Sequence, residues 1–501
     1  MVALTDITTV MARRSGACAL LLLLSAFAAA QIVEVAEVSD ESGLRAAWND
    51  ANIQVIRFTA DIALTDSLPV RAAGDVIVTG SPTAGLDGNG HGCFHTRNIS
   101  FGVRELTIRG CDGQARNTEA AHDGGAILFE VDDPALPMPA RLRVVGSEIR
   151  ENQALSGGAI RVVGGSAELF SLRLIDNEAI NRGGAISVES AGITLLDSEL
   201  SGNRALAGGA IATTLDGRLV MADTQIVENR ATFGGGIAAE DGAEIDIEHS
   251  EISANQAGFD GAGLWIVGSS LRIDASSINR NQSGALGGGL GLLNGAEAEL
   301  TNVTVSGNSA DTFRGGGIHL LNARALTLRF ATVYENRSTQ DGQQLAITGS
   351  GAIEIIASVV GDAAQTDGPA SIRPGAVPLT VGFSLLGSVS DPEGLDLDAA
   401  SARLAGLPAG LSALQRSDSL TELHLPNDDS PLIARIARGQ AGCGDLVTRD
   451  QRGRARAADG VCTIGSVERL SPTRPVPTLH PFALLVLALG MLISVALRRG
   501  S

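Results

Sequence analysis

The chain has 501 residues, a formal charge of −19 and a pI near 4.8, a balance that argues against nucleic acid or an anionic membrane surface as partner. Only 3 % of its residues are aromatic, and Trp48, Trp265 and Tyr334 are the only Trp and Tyr residues, so stacked-ring platforms for sugars are poorly supplied. All 37 basic residues are arginines, which excludes a Schiff-base lysine and leaves arginine chemistry open.

The first element is "MARRSGACALLLLLSAFAAAQ", starting at Met11. Its basic pair, apolar run and Ala-Ala-Ala end make residues 1–30 a secretory signal, cleaved after Ala30 and taking Cys18 with it. Export implies an oxidising compartment for the four remaining cysteines. Pairing by proximity in sequence joins Cys93 to Cys111 and Cys443 to Cys462, closing loops of 18 and 19 residues. The competing reading, metal ligation, lacks Cys-x-x-Cys spacing in either pair. Within residues 31–53, "SDESGLRAAWNDAN" predicts a short amphipathic helix with Ser39 or Asp40 as N-cap and Leu44, Ala47 and Trp48 on one face. Its expected place is over the first coil, where an open end would expose strand edges.

From about residue 54 to 365 the chain repeats itself. Glycine pairs followed by an aliphatic residue return in "ALSGGAIRVV", "NRGGAISV", "LAGGAIAT", "FGGGIAAE", "LGGGLGLL" and "RGGGIHLL". Upstream of them lie Asn152, Asn177, Asn203, Asn229, Asn255, Asn281, Asn308 and Asn336, separated by 25, 26, 26, 26, 26, 27 and 28 residues. A small residue follows each asparagine by two places and an aliphatic residue precedes it by three. Such a period marks a solenoid, in which a repeat buries its apolar face only against its neighbours. Short alternating runs leave no room for a helix in the unit. Three strands and three turns use up about 26 residues, so the predicted fold is all-β, a right-handed parallel β-helix of roughly 11 to 12 coils, the hand following from that of parallel crossovers. Stacking would then turn the asparagines into a ladder of side-chain amides and set the glycines at a sharp corner.

Residues 366–470 abandon the repeat and predict a cap or lateral subdomain. Residues 471–480 form a proline-rich linker that includes Val476, Pro477, Thr478 and Leu479. The apolar segment 481–497 is just long enough to span a membrane, and the basic tail 498–501 places Arg498 and Arg499 on the cytoplasmic side.

These features carry a resemblance. The glycine-pair and asparagine repeats resemble the pectin-lyase-like right-handed β-helix superfamily, and the "GGAI" units are similar to those of polymorphic outer-membrane proteins. The opening "LRAAW…VIRFTADIALTDSLPV…GLDGNG…LTIRG" and the closing "LPNDDSPLIARIARGQAGCGDLVTRDQRGRARAADGVCTIGSVE" resemble choice-of-anchor bacterial secreted proteins. In that family the end reads like "GSPAID", "DQRG.PR" and "CDIGA.E", from which this chain departs at Leu432, Ala434 and Thr463. The tail "VPTL" resembles an IPTL-type sorting domain with Val476 in place of isoleucine. That resemblance implies cutting near Val476 to Leu479 and passage to the cell surface; an uncut span would hold the chain facing the periplasm.

No motif specifies a reaction. His91 stands in "DGNGHGCF", a tripeptide context shared with polygalacturonases, but the ordered acids of that chemistry are missing and a turn beside the first disulfide accounts for it. Arg204 and Arg230 share a column near Glu228, Glu240 and Asp241, as a calcium-assisted lyase would need, and equally as a solvated face would show. His249, His319 and His424 have no partner at ligand or triad spacing and read as surface or turn residues. No catalytic, cofactor or metal residues are therefore assigned. The sequence predicts a non-catalytic, envelope-anchored or cell-surface protein offering an elongated face to glycans or other envelope components. The alternative is a surface-tethered polysaccharide lyase or hydrolase, against which the even spacing leaves little chain for cleft walls.

Overall fold

Five-residue runs that alternate apolar and polar side chains favour strands with one buried face. In the computed structural model each run pairs in parallel with its equivalent one repeat away. The structure describes residues 33–469 except 82–83, 116–123, 134, 137–138, 362–368, 375–378, 391–394, 403, 405–406 and 417–419. The signal, the linker with Val476 to Leu479, the apolar segment 481–497 and the basic tail lie outside the described residues. Among the described residues no helix is long and apolar enough to cross a membrane. The elements below, between residues 35 and 469, belong to one compact unit.

Three parallel sheets of 15, 13 and 11 strands, here sheets I, II and III, are joined by a fourth of five short strands, sheet IV. One coil shows the plan. Glu244–Glu248 lies in sheet I, Glu251–Ser253 in sheet II, Gln256–Asp260 in sheet IV and Leu264–Val267 in sheet III, after which Ser270–Asp274 returns to sheet I. The register holds from coil to coil: Ile245 faces Leu271, Ile252 faces Ile278 and Leu264 faces Leu290. Equivalent aliphatic side chains therefore stack in columns inside a parallel β-helix, and each fully buried one contributes roughly 1.5–3 kcal/mol. The sheets continue past residue 365 through Leu379–Gly382, Leu385–Leu386 and Leu395–Leu397. The asparagines and glycine pairs have ended there, but apolar alternation persists and still pairs.

Polar ladders stitch the corners. The eight asparagines, Asn152 through Asn336, are at most 1 % exposed. Each Nδ2 donates to Oδ1 of the next at 2.9–3.1 Å, and also to a carbonyl in the coil before, as Asn203 does to Leu174 at 2.9 Å. The column starts where the Cys111 N–H donates to Asn152 Oδ1 and stops where Asn336 donates to Gln344 Oε1. A second column, of hydroxyls, lies five residues before the asparagines. Ser250 Oγ donates to the Glu248 carbonyl at 2.8 Å and accepts the Thr224 N–H at 3.2 Å, and the Ser250 N–H passes to Ser276 Oγ at 3.0 Å. The glycine pairs divide two tasks. Gly208 adopts φ +67°, and a β-carbon on Gly209 would overlap the Gly235 carbonyl oxygen one coil on.

The first and last described segments pack on this body. The helix Glu41–Asn49 has Asp40 as N-cap, its Oδ1 accepting the Gly43 N–H at 2.8 Å. Its buried Trp48 meets Phe94 and Phe101 at centroid distances of 5.1 and 5.7 Å. Buried Arg71 donates to the carbonyls of Ala47 and Trp48, orphaned at the helix end, and to that of Ile53 at the start of the next strand. Disulfides join Cys93 to Cys111 and Cys443 to Cys462. The C-terminal segment lies along sheet II: Thr304 Oγ1 donates to Gln451 Oε1 at 2.7 Å, the Ser466 N–H to Thr332 Oγ1 at 3.0 Å, and the Gly465 N–H to the Ala357 carbonyl at 2.8 Å.

Candidate functional site

Sheet III turns one side of each strand outward. Its outward positions run in register through Arg161, Ser187, Ala212, Ala238, Trp265, Gly291, His319, Ala346 and Arg373. Beside this column projects the corner between sheet IV and the glycine pair, where Ile180, Leu206, Phe259 and Phe313 are 48–55 % exposed. Between column and corner lies a cleft of about 360 Å³, lined by Arg161, Arg182, Glu189, Leu206, Phe233, Glu240 and Trp265 among others.

Three aromatic residues meet here. Phe233 stacks on Trp265 at 4.9 Å with 30° between the rings, and Phe259 meets Phe233 edge-on at 5.7 Å. The coil period brings these rings, about one repeat apart in sequence, together in a chain whose composition supplies few of them. The charges in the cleft are internally matched. Arg161 pairs with Glu189 and donates to Ser187 Oγ at 3.0 Å, while Arg182 pairs with Glu240 at 2.8 Å.

In the coil that carries Trp265, at the end of its sheet IV strand, Asp260 is 1 % exposed and its Oδ1 has no hydrogen-bond partner. Burial pushes its carboxyl up to about 7, opposed only by the Gly261 N–H. Trp265 Nε1 and His319 Nδ1 are likewise buried and unpartnered. Burial, with Arg314 and Arg373 nearby, pulls His319 down to about 4, so its imidazole is neutral near pH 7. Among the described residues no group of three or more His, Cys, Asp and Glu is placed to hold a metal ion.

The other candidates fall elsewhere. His91 sits in a bend, its N–H bonded to the Gly88 carbonyl at 2.8 Å. Arg204 and Arg230 are adjacent and exposed on the outer column of sheet IV, and Glu240 pairs with Arg182 instead of either. His249 occupies a turn at φ 46°. His319 and His424 are not surface residues: both are buried, and His424 joins Ser306 Oγ to the Ser412 carbonyl at 2.7 Å each. A spacing argument misses His424 because its partner Ser306 lies 118 residues earlier, and misses His319 because its strand is buried by residues outside its own repeat unit. A larger cleft of about 580 Å³ lies in that segment, lined by Leu425, Arg452, Arg454 and Glu468. Its Arg452 is held by Asp450 at 2.8 Å and its Glu468 accepts the Thr463 N–H at 3.0 Å, so these groups serve the segment's own packing.

Residues 139–333 match the family model described as right handed beta helix region, and residues 35–124 match that described as putative pectate lyase-like adhesive domain. No curated protein matches the chain. The coils form a right-handed parallel β-helix, and the chain's N-terminal part is similar to an adhesive domain of pectate-lyase-like build.

Proposed function

We propose that this protein is an exported, cell-surface β-helix that adheres to glycans through the groove on sheet III. The observation that carries the reading is the meeting of Phe233, Phe259 and Trp265 at one groove in a chain with 3 % aromatic residues. Ring faces offer apolar area for the hydrophobic faces of sugars, and the Arg–Glu pairs beside them are fixed donors and acceptors of the kind that give a pocket its specificity. The similarity to an adhesive domain supports adhesion, and the two disulfides support export. The route follows from the termini: the signal at 1–30 delivers the chain, and cutting near Val476 to Leu479 releases it from the span 481–497 to the outer surface. The helix Glu41–Asn49 closes the first coil.

Adhesion is favoured over hydrolysis or lyase chemistry because Glu189 and Glu240 are both tied to arginines, which leaves neither poised as a base. The test is retention on a polysaccharide and glycan array. Wild-type protein is retained without new reducing or unsaturated ends, and Phe233→Ala with Trp265→Ala weakens retention at least tenfold, about 1.4 kcal/mol. Product ends that disappear in Glu240→Gln would make the protein an enzyme.

A further inference from the structure

We infer that the corner between sheet IV and the glycine pairs docks on an anionic lipid surface, along which the solenoid lies lengthwise; this is independent of the glycan groove beside it. Ten large apolar side chains are exposed among the described residues, and four of them, Ile180, Leu206, Phe259 and Phe313, stand on this one corner. Ile180 and Phe313 lie five coils apart, so the line runs ~24 Å along the solenoid. Exposed apolar residues scattered singly need no explanation, whereas a line of them marks an interaction site. This line is convex. The chain bends there from sheet IV into sheet III, and each side chain stays about half exposed, so the corner offers tips to insert and no walls to enclose a small ligand.

Charge selects the surface. On sheets I and II the repeat pairs its arginines: Arg173 meets Glu148 at 2.7 Å, Arg218 meets Asp246 at 3.1 Å and Arg272 meets Glu299 at 2.8 Å. On the outer column of sheet IV, Arg204, Arg230 and Arg337 are exposed and enter no ion pair among the described residues. Arg314, next to Phe313, is likewise without one. Against these four stand Glu178, which precedes Arg204 in the column, and Asp311, which accepts from Gln282 at 2.9 Å. Unpaired guanidinium groups beside apolar tips match phosphate-bearing headgroups over acyl chains. The formal charge of −19 does not oppose this. Charges beyond about 8 Å are screened at physiological salt, so a membrane at the corner meets the corner's own cations, and the acidic remainder turns the other faces away from it. A soluble polyanion would use the arginines alone; the convex apolar line assigns the lipid.

Arginine modification by phenylglyoxal, read by mass spectrometry on the full chain with vesicles, tests this. Because it reports which face meets the bilayer, any pull of the apolar segment 481–497 does not obscure the result. With phosphatidylglycerol vesicles Arg204 and Arg230 react at least fivefold more slowly than in the free protein, while Arg324, 74 % exposed and just before a strand of sheet I, reacts as before. Phosphatidylcholine vesicles give no such protection, and about 0.5 M salt removes it. Ile180→Ser with Phe313→Ser, exposed positions that do not line the cleft, also removes it. Equal reactivity of Arg204, Arg230 and Arg324 on phosphatidylglycerol vesicles overturns the inference. So does protection that survives the serine substitutions, and if dextran sulfate then protects the same arginines, the face reads a soluble polyanion.

Discussion

Asn255 holds three coils together with one amide. Its Nδ2 donates to Asn281 Oδ1 above and to the Ile226 carbonyl below, both at 3.0 Å, and its Oδ1 accepts from Asn229. Asn255→Leu orphans those groups in a dry interior and should lower stability by about 1–3 kcal/mol or more, whereas Gln256→Ala, on the exposed outer column, should stay within about 0.5 kcal/mol. Thermal melts of the two variants check this, and equal shifts would contradict the ladder's role. Asp260 makes a pH prediction of opposite kind. Its folded carboxyl titrates at about 7 against an ordinary 3.8, so the folded state holds the proton more tightly. Stability therefore falls as pH rises from about 4 to about 7 and levels off above, by at most roughly 4 kcal/mol from this group. Asp260→Asn should remove that slope and be the more stable protein at pH 8; urea unfolding at pH 4.5 and pH 8 that gives both proteins the same slope would refute it. The two residues also differ in how far they can be read from sequence. The asparagine column keeps one identity at every step, which makes it visible. The hydroxyl column five places earlier is interrupted by Leu172, Val303 and Ala331, and the surroundings of Asp260 include Gly287 and Gly291 from the next coil, which no local pattern ties to it.

At the scale of elements the sheets were legible because a strand's burial pattern is local, and the C-terminal segment was not because its partners are far off in sequence. "DQRGRARAADGVCTIGSVE" reads as an end motif without a mechanism. In the fold, Asp450 accepts the N–H groups of Arg452, Arg454 and Glu468, which sets a tight turn. That turn presents Gln451 to Thr304, 147 residues earlier. Arg456 is fully buried over the Phe330 ring at 4.1 Å and donates to Asn302 Oδ1 and the Gly465 carbonyl at 2.8 and 2.9 Å. Its guanidinium also faces Glu468 at 3.3 Å. Arg456→Met keeps the length of the side chain but strands Glu468 and several carbonyls, a loss of about 3–5 kcal/mol. Calorimetry should show it, accompanied by faster proteolysis between residues 404 and 469; a variant as stable as wild type would mean that the segment is held by its apolar contacts alone. Leu432 and Ala434 fit this frame differently: Leu432 is buried in the small core beneath the segment, and Ala434 takes φ 54°, where an aspartate would be better tolerated.

Over the whole molecule the returning segment makes the two halves of the solenoid unequal. In sheet II the strands Glu148–Arg150, Arg173–Ile175, Glu199–Ser201 and Gln225–Val227 bury one side chain and leave the other two partly or fully open. From Glu251–Ser253 through Ser277–Asn279 and Thr304–Ser306 all three side chains are buried. The change begins where Arg416 reaches Glu251 at 2.5 Å. A solenoid's stability is close to a sum of coil and interface contributions, so a brace laid across five coils adds to each of them and to none of those before. Opening that requires the brace to lift is rarer than opening of a bare coil. Native-state hydrogen exchange should therefore find the sheet II amides from Glu251 to Tyr334 slower than those from Glu148 to Val227, although both halves have the same ladder and the same interior columns. Arg456→Met should shrink that difference while leaving the earlier coils as they were. Uniform exchange along sheet II in the wild type would show that the coils open as one unit, with the segment a passenger; a difference that survives Arg456→Met would place its origin in the coils themselves. The cleft lined by Phe233 and Trp265 is shared between both halves, so the half that opens first also sets how firmly its Arg161 and Arg182 walls are held.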